Sequence, residues 1–330
     1  MRFADIIGQE ELKGHLQNAL QNQKVSHAYI ISGEEGSGKR MLAEAFAQTL
    51  LCEEKGADAC GHCHHCRQTM SHNQPDIIYL THEKPATISV DDIRSQINSD
   101  IVIRPYNSDY KVYIVDEAEK MNEQAQNALL KTIEEPPSYA VILLLTTNAQ
   151  AFLPTIRSRC ILLETKPVPD ALVRGELMKR YEIPDYQADM SVAFAQGNMG
   201  KAIALAQSQE FADRKEMVLS LIRHISEMTY ADRIAWIREM EAKKEPLTDY
   251  LDLLMVFYRD VLLYKATGQA DRLIFADQVY QVKRLADGLS YRHLEEIFEG
   301  VESCRRKDAA NVNTDLILQQ LMERMRGERR

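Results

Sequence analysis

The sequence has few aromatic residues, a deficit of positive charge and no long apolar run. Aromatic residues make up 7% of the 330 positions, which gives little material for a surface that stacks nucleic-acid bases. The formal net charge of −9 argues against a large DNA-binding face on this chain alone, because Lys and Arg supply most non-specific affinity for phosphate. No run of about 18 apolar residues occurs, so no transmembrane helix is expected.

The first residues also lack the features of an export signal. The segment MRFADIIGQEELKGHL (1–16) carries acidic residues early and has no apolar core of the kind that signal peptides need. With 45% hydrophobic and 27% charged residues, the composition is that of a globular protein, and the length allows two or three domains. We therefore expect a cytoplasmic protein that makes no contact with a membrane.

Up to about residue 165, short apolar runs alternate with helical patterns. The runs are continuous in hydrophobicity, which is typical of strands that helices cover on both faces. The predicted strands lie at 27–32, 76–80, 111–116, 140–147 and 160–165, and the predicted helices at 10–22, 39–51, 90–100 and 122–135. This order predicts an α/β domain, with a parallel sheet and helices on both faces, over residues 1–165.

The character of the chain changes after KPVPD (166–170). The prolines mark a boundary, and no further strand is predicted. Short helical patterns predict a small helical domain, a lid, over residues 166–208. From 209 to 330 apolar residues recur at helical spacing, which predicts an all-α C-terminal domain.

The segment GEEGSGKR (33–40) is close to a phosphate-binding loop. It follows a predicted strand and opens a predicted helix, as the pattern G-x-x-x-x-G-K-[ST] requires, but an arginine stands where a hydroxyl should hold Mg²⁺. Glycines allow backbone N–H groups to converge on phosphate oxygens, and the lysine would reach the terminal phosphates. The segment predicts a nucleotide-binding frame and leaves open whether ATP and Mg²⁺ bind. The candidate residues are Gly33, Gly36, Gly38, Lys39 and Arg40.

Polar residues follow two of the later predicted strands. Asp116 and Glu117 end the run KVYIVDE, where an Asp can hold Mg²⁺ and a Glu can polarise the attacking water of an ATPase. Thr147 ends the run AVILLLTT, and its hydroxyl would face a terminal phosphate. Acidic and polar residues are also common turn formers, so each of these signals is weak alone. Downstream of a phosphate-binding loop they strengthen one another.

Four cysteines are spaced for a metal site. Cys52, Cys60, Cys63 and Cys66 include two C-x-x-C steps, and four thiolates can close a tetrahedral Zn²⁺ site. Reduction in the cytosol makes disulfides a poorer explanation. Four thiolates leave no open coordination position, so the predicted zinc ion is structural. The alternative is a set of unligated or redox cysteines.

Several segments resemble the AAA+ ATPases of the DNA polymerase III clamp loader. They are NEQAQNALLKTIEEPP (122–137) and LLLTTNAQAFLPTIRSRC (143–160), supported by FADIIGQEELKGHL and SHAYIISGEEGSGK near the start. The resemblance implies an AAA+ fold with the zinc module inserted at about 52–66, a lid and a C-terminal collar that oligomerises. It matches Asp116 and Glu117 to the acidic pair of the ATPase site and Thr147 to the sensor-1 position. It also matches Arg159 to an arginine finger, which acts on ATP bound by a neighbouring subunit.

The departures from the family pattern decide the predicted role. Arg40 replaces the metal-binding hydroxyl, and Gly200 stands where hydrolysing subunits carry an Arg that senses the terminal phosphate. The finger is retained, and this combination resembles the subunit that completes a neighbour's site. The resemblance implies motor subunits and a delta-type subunit as partners, with the sliding clamp and primed DNA reached through the assembly. The alternatives are a hydrolysing motor subunit, since Lys39, Asp116 and Glu117 are present, and an AAA+ helicase loader or remodeller. Whether the chain is itself an enzyme stays open.

Overall fold

The five apolar runs form one parallel sheet in the computed structural model of the chain, which describes residues 1–82 and 84–326. The strand order is β2-β3-β4-β1-β5. All four neighbouring pairs are parallel. The strands are β1 (Ala28–Ser32), β2 (Ile77–Tyr79), β3 (Lys111–Val115), β4 (Ala140–Thr146) and β5 (Ile161–Glu164). The predicted fold class is confirmed, and each strand agrees with its apolar run to within one or two residues.

Two apolar layers cover the faces of the sheet. In β1, Ile30 packs with side chains of the helices Val90–Ile93 and Glu123–Glu134, whereas Tyr29 and Ile31 pack with those of the helices Glu10–Gln21 and Lys39–Leu50. Every residue of β1, β3 and β4 is buried, which explains why these strands are continuously apolar in the sequence. The helices of this part are α1 (Glu10–Gln21), α2 (Lys39–Leu50), α3 (His64–Met70), α4 (Val90–Ile93, continued as a π-helical turn over Arg94–Asn98), α5 (Glu123–Glu134), α6 (Pro154–Arg157) and α7 (Asp170–Arg180).

The remainder of the described chain is helical and contains no strand. A large apolar cluster that runs from Met190 to Met325 forms its core, with Phe257 and Phe275 in edge-to-face contact. The helices are α8 (Asp185–Ala195), α9 (Met199–Gln207), α10 (Gln209–His224), α11 (Tyr230–Ala242), α12 (Leu247–Thr267), α13 (Val279–Gly288), α14 (Tyr291–Ala309) and α15 (Thr314–Arg326). Among the described residues, no helix combines the length and the apolar character that a membrane span requires.

The chain divides into two compact units. The first comprises Met1–Tyr181 and Ala195–Ile203, and the second comprises Glu182–Phe194 and the chain from Ala204 onward. Parts of the predicted lid (166–208) are therefore found in both units. The three-part division at residues 165 and 208 stays a prediction.

Candidate functional site

The phosphate-binding loop connects the carboxyl end of β1 to the start of α2. Gly36 and Gly38 have φ angles of +79° and +91°, in the left-handed region where a side chain is strained. At Gly33 a Cβ atom would lie 1.8 Å from the Thr165 hydroxyl, so a side chain has no room there. The glycine pattern of the sequence is thus required by the observed backbone.

Lys39 folds back on the loop that it follows. Its Nζ donates hydrogen bonds to the carbonyl oxygens of Gly33 and Glu34, both at 2.8 Å. Burial lowers the pKa of Lys39, and the negative charges of Glu119 and Asp116 offset part of that effect. The Lys39 ammonium therefore has loop carbonyls as its hydrogen-bond acceptors, and its contact with a phosphate stays a prediction.

Arg40 lies beside Asp116, which the sequence predicted as a candidate Mg²⁺ ligand. Its Nη1 is 3.8 Å from Asp116 Oδ2, and its Nε donates to Glu44 Oε1 at 3.0 Å. The guanidinium carbon also lies 5.6 Å from the centre of the Tyr79 ring. The hydrogen bond to Glu44 raises the pKa of Arg40, so the group is always charged. Because the hydroxyl ligand is missing and Asp116 faces a cation, these residues do not fit a magnesium ion in its usual place.

The acidic pair follows β3 as predicted. One Asp116 oxygen accepts a hydrogen bond from the backbone N–H of Glu117 at 3.0 Å. Glu117 has a φ angle of +49°, and its carboxylate accepts a hydrogen bond from Lys120 Nζ at 2.7 Å. About half of each acidic side chain is exposed. Both carboxylates thus have a cationic partner from this chain.

Glu119 is a cleft residue that the sequence reasoning missed. Its carboxylate accepts hydrogen bonds from the Thr147 hydroxyl at 2.6 Å and from the Thr147 backbone N–H at 3.2 Å. Burial alone would raise the pKa of Glu119, but these hydrogen bonds outweigh it and the pKa is lowered. The available signal was the run DEAE, with three acids in four residues directly after a buried strand. The Thr147 hydroxyl, which the sequence predicted to face a terminal phosphate, therefore donates to an acceptor within the chain.

These groups line one cleft of about 620 Å³ at the carboxyl edge of the sheet. The register brings the ends of β1 and β4 side by side, with Ser32 opposite Thr146. Most of the predicted cofactor and catalytic residues meet there. Arg159 and Gly33 are not part of the lining. The lining residues are Glu35, Gly36, Gly38, Lys39, Arg40, Met41, Asp116, Glu117, Glu119, Leu145, Thr146, Thr147 and Gly200.

The turn that precedes α9 is bonded directly to the phosphate-binding loop. Asn198 Nδ2 donates to the Glu35 carbonyl at 2.7 Å, and the Gly200 N–H donates to the Gly36 carbonyl at 3.0 Å. A Cβ atom on Gly200 would lie 2.7 Å from both the Cα and the carbonyl oxygen of Gly36. Position 200 consequently has no room for a side chain.

Arg159 lies beyond the end of α6, on the segment that leads into β5. Its Nη2 is 3.0 Å from Glu134 Oε1, and its Nη1 donates to the Thr155 carbonyl at 3.1 Å. The side chain is 40% exposed. A guanidinium at this location faces solvent and is separate from the cleft of its own chain.

The four cysteines form one cluster, as the spacing predicted. Their sulfur atoms all lie within 4.8 Å of one another, and those of Cys60 and Cys66 are 3.9 Å apart. A tetrahedral zinc ion with Zn–S bonds of about 2.3 Å requires sulfur separations of about 3.8 Å. Backbone N–H groups of Cys60, Cys63 and Cys66 also donate to sulfur atoms of the cluster, each at 3.4 Å. All four thiols are free of disulfides, so the donor set fits zinc.

The cysteine cluster is tied to the start of the chain. Asp58, which lies between the first and second cysteines, accepts hydrogen bonds from the backbone N–H groups of Phe3 and Ala4, each at 2.9 Å. The Phe3 side chain is buried in the core beneath α2. The cysteine module thus holds the first residues against the α/β unit.

Comparison with known proteins places the chain in a family. Residues 8–169 match the family described as "DNA polymerase III, delta subunit", and residues 208–326 match "DNA polymerase III, delta subunit, C terminal". The DNA polymerase III subunit delta-prime of Pseudomonas aeruginosa is 30% identical over 321 residues, which is 94% of this chain and 93% of that protein. The chain belongs to the DNA polymerase III delta-prime subunit family.

Two further relatives, one delta-prime subunit and one tau subunit, differ in how much of their length matches this chain. The delta-prime subunit of Bacillus subtilis is 27% identical over 312 residues, covering 93% of each chain. The tau subunit of the same organism is 29% identical over 286 residues, which is 80% of this chain and 50% of that protein. The chain therefore spans nearly all of the delta-prime relatives but only half of the tau relative. The predicted clamp-loader family is confirmed.

Proposed function

We propose that this chain is the delta-prime stator of a DNA polymerase III clamp loader, which completes a neighbour's ATPase site and does not turn over ATP itself. The observation that carries the proposal is the Arg40 guanidinium beside Asp116, where a hydrolysing subunit would hold Mg²⁺. The close packing of Gly200 on Gly36 supports it, because a sensing Arg has no room there. Both features lie in the cleft where this chain would bind and hydrolyse ATP.

Arg159 would supply the missing charge to another subunit. In phosphoryl transfer, negative charge spreads over the transferred group, and an arginine placed in trans stabilises it. Arg159 is partly exposed and lies outside the cleft of its own chain, as such a role requires. The fixed charge of the guanidinium and its several N–H donors suit contact with phosphate oxygens.

The proposed partners follow from the same role. The chain would join motor subunits and a delta-type subunit, with residues 209–330 as the oligomerising collar. Nucleotide binding and hydrolysis by the motors would change the arrangement of the subunits and load a sliding clamp on primed DNA. We place this assembly in the cytoplasm, where the replicating DNA of the bacterial relatives lies.

Steady-state ATP hydrolysis tests the proposal directly. The purified chain with Mg²⁺ should show no turnover at high concentration, and the complex with motor subunits of the same organism should be active. Arg159→Ala should lower turnover by the complex and leave assembly intact, whereas Arg157→Ala, two residues earlier on α6, should leave turnover unchanged. An unchanged rate with Arg159→Ala would remove the finger assignment.

A motor subunit is the second candidate, favoured by one observation. Lys39, Asp116 and Glu117 are all present and line the cleft together. Turnover by the isolated chain that disappears in Lys39→Ala would establish this role in place of the stator role. A helicase loader outside the clamp-loader family has no support among the relatives reported above.

A further inference from the structure

Two segments that carry the family resemblance meet in the folded chain. Glu134 belongs to the NALLKTIEEPP segment and is the last residue of α5. Arg159 belongs to the SRC segment, 25 positions further along the sequence. The Nη2 atom of Arg159 lies 3.0 Å from Glu134 Oε1. An ion pair therefore joins Glu134 of one segment to Arg159 of the other.

Glu134 occupies a position that helix electrostatics disfavour. The C-terminal end of a helix carries partial negative charge and stabilises cations, yet α5 ends in Glu134 and is followed by Glu135. Among the residues that the structure describes, Arg159 is the one ionic partner of Glu134, and Glu135 has none. The position of Glu134 is therefore better explained by its contact with Arg159 than by stability of the helix.

Three groups contact the two terminal nitrogens of the Arg159 guanidinium. Nη1 donates to the Thr155 carbonyl at 3.1 Å and to the Ser158 hydroxyl at 3.3 Å, and Nη2 faces Glu134. Within the described part of the chain, none of these contacts uses Nε. A long side chain held in this way loses less conformational freedom when it meets a phosphate. Glu134 is the one charged group among the three and the one that comes from a different helix.

We propose that Glu134 is a positioning residue for the arginine finger: it orients the Arg159 guanidinium toward the nucleotide of the neighbouring subunit. This inference rests on the proposed function, since it presupposes that Arg159 acts in trans. The ion pair is partly exposed, with side-chain exposures of 40% and 47%, so its effect on turnover is moderate.

The test uses the complex with motor subunits and measures kcat and KM for ATP. Glu134→Gln keeps the size of the side chain and removes its charge, and it should lower kcat roughly two- to fivefold at unchanged KM. Glu135→Gln removes an equal charge from the next position and should leave kcat at the wild-type value. Glu134→Asp, which keeps the charge at shorter reach, should recover part of the loss.

A double-mutant comparison separates this inference from the function on which it rests. If Glu134 acts through Arg159, adding Glu134→Gln to Arg159→Ala should cause no further loss. A normal rate with Glu134→Gln, a higher rate, or an equal loss with Glu135→Gln would overturn the inference and leave the finger assignment standing. An Arg159→Ala complex with normal turnover would remove both. Equal thermal midpoints of the two Gln variants would show that folding is not the cause.

Discussion

Gly200→Ala should loosen the phosphate-binding loop, although alanine normally stabilises a helix. Gly200 is the second residue of α9, where alanine would contribute up to about 1 kcal/mol of helix propensity. The added Cβ, however, would lie 2.7 Å from the Cα and the carbonyl oxygen of Gly36. Backbone atoms cannot rotate away, and forced overpacking costs about 1–3 kcal/mol.

If the added Cβ forces the two glycine backbones apart, the hydrogen bond between them is also lost. The Gly200 N–H donates to the Gly36 carbonyl at 3.0 Å, and a bond of this kind contributes about 1 kcal/mol. The net expectation is a destabilisation of about 1–3 kcal/mol. The strain is local to the loop, because Asn198 holds the neighbouring carbonyl of Glu35 through the same turn.

Gly175→Ala is the matched control for this measurement. Gly175 lies within α7 of the same unit, and nothing stands within 4 Å of the place where its Cβ would be. This change should stabilise the chain by about 0.5–1 kcal/mol. Urea unfolding gives the difference between the two variants, and hydrogen exchange of the amides in residues 33–40 reports the loop itself. Equal stability of the two variants, with wild-type exchange in the loop, would refute the close packing of Gly200 on Gly36.

Three further predictions concern metal, nucleotide and pH. Cys63→Ser should reduce bound zinc from about one ion per chain to none, and elemental analysis that finds no zinc in the wild-type protein would end the metal assignment. Arg40→Thr should tighten Mg²⁺-dependent binding of a fluorescent ATP analogue by roughly tenfold, or about 1.4 kcal/mol; equal binding would show that the guanidinium does not displace the metal. Asp76 is buried, and hydrogen bonds from the 106–108 segment outweigh desolvation and lower the pKa of its carboxyl. Its stabilising effect is present above the usual value of 3.8 and is lost as the pH falls through the lowered pKa. Asp76→Asn should lower the free energy of unfolding by about 1–3 kcal/mol at pH 7. It should also reduce the decrease in that free energy between pH 7 and pH 2, and an unchanged decrease would contradict this account.

The sequence predicted the features that depend on local pattern. Continuous apolar runs located the five strands, because each central strand is buried on both faces and must be apolar throughout. The glycines of residues 33–38 and the cysteine spacing were also informative. A tight turn and a set of clustered thiols each depend on residues that are close in the sequence. The predicted helix over 90–100 is present, although its second half is a π-helical turn.

Contacts between distant segments were not predictable in this way. The Arg40–Asp116 pair joins residues on α2 and after β3, and the Gly36–Gly200 approach joins residues 164 positions apart. Neither has a local signature. Glu119 was missed because acidic residues after a strand are common turn formers, and only the structure shows that its carboxylate accepts a hydrogen bond from Thr147.

Because Asp58 links the cysteine module to the first residues, oxidation of the cysteines should change how firmly those residues are held. Oxidation of the four thiols would prevent the cluster from binding zinc, and we expect the loop that carries Asp58 then to hold Phe3 and Ala4 less firmly. The first residues would then be held by the buried Phe3 ring and by the hydrogen bond from the Met1 amine to Gln48, and they should detach more often. Oxidation of the cysteines should therefore make the first residues more accessible, which early cleavage there by a protease would report. Preparations made without a thiol reductant, or with a strong chelator, should show the same early cleavage.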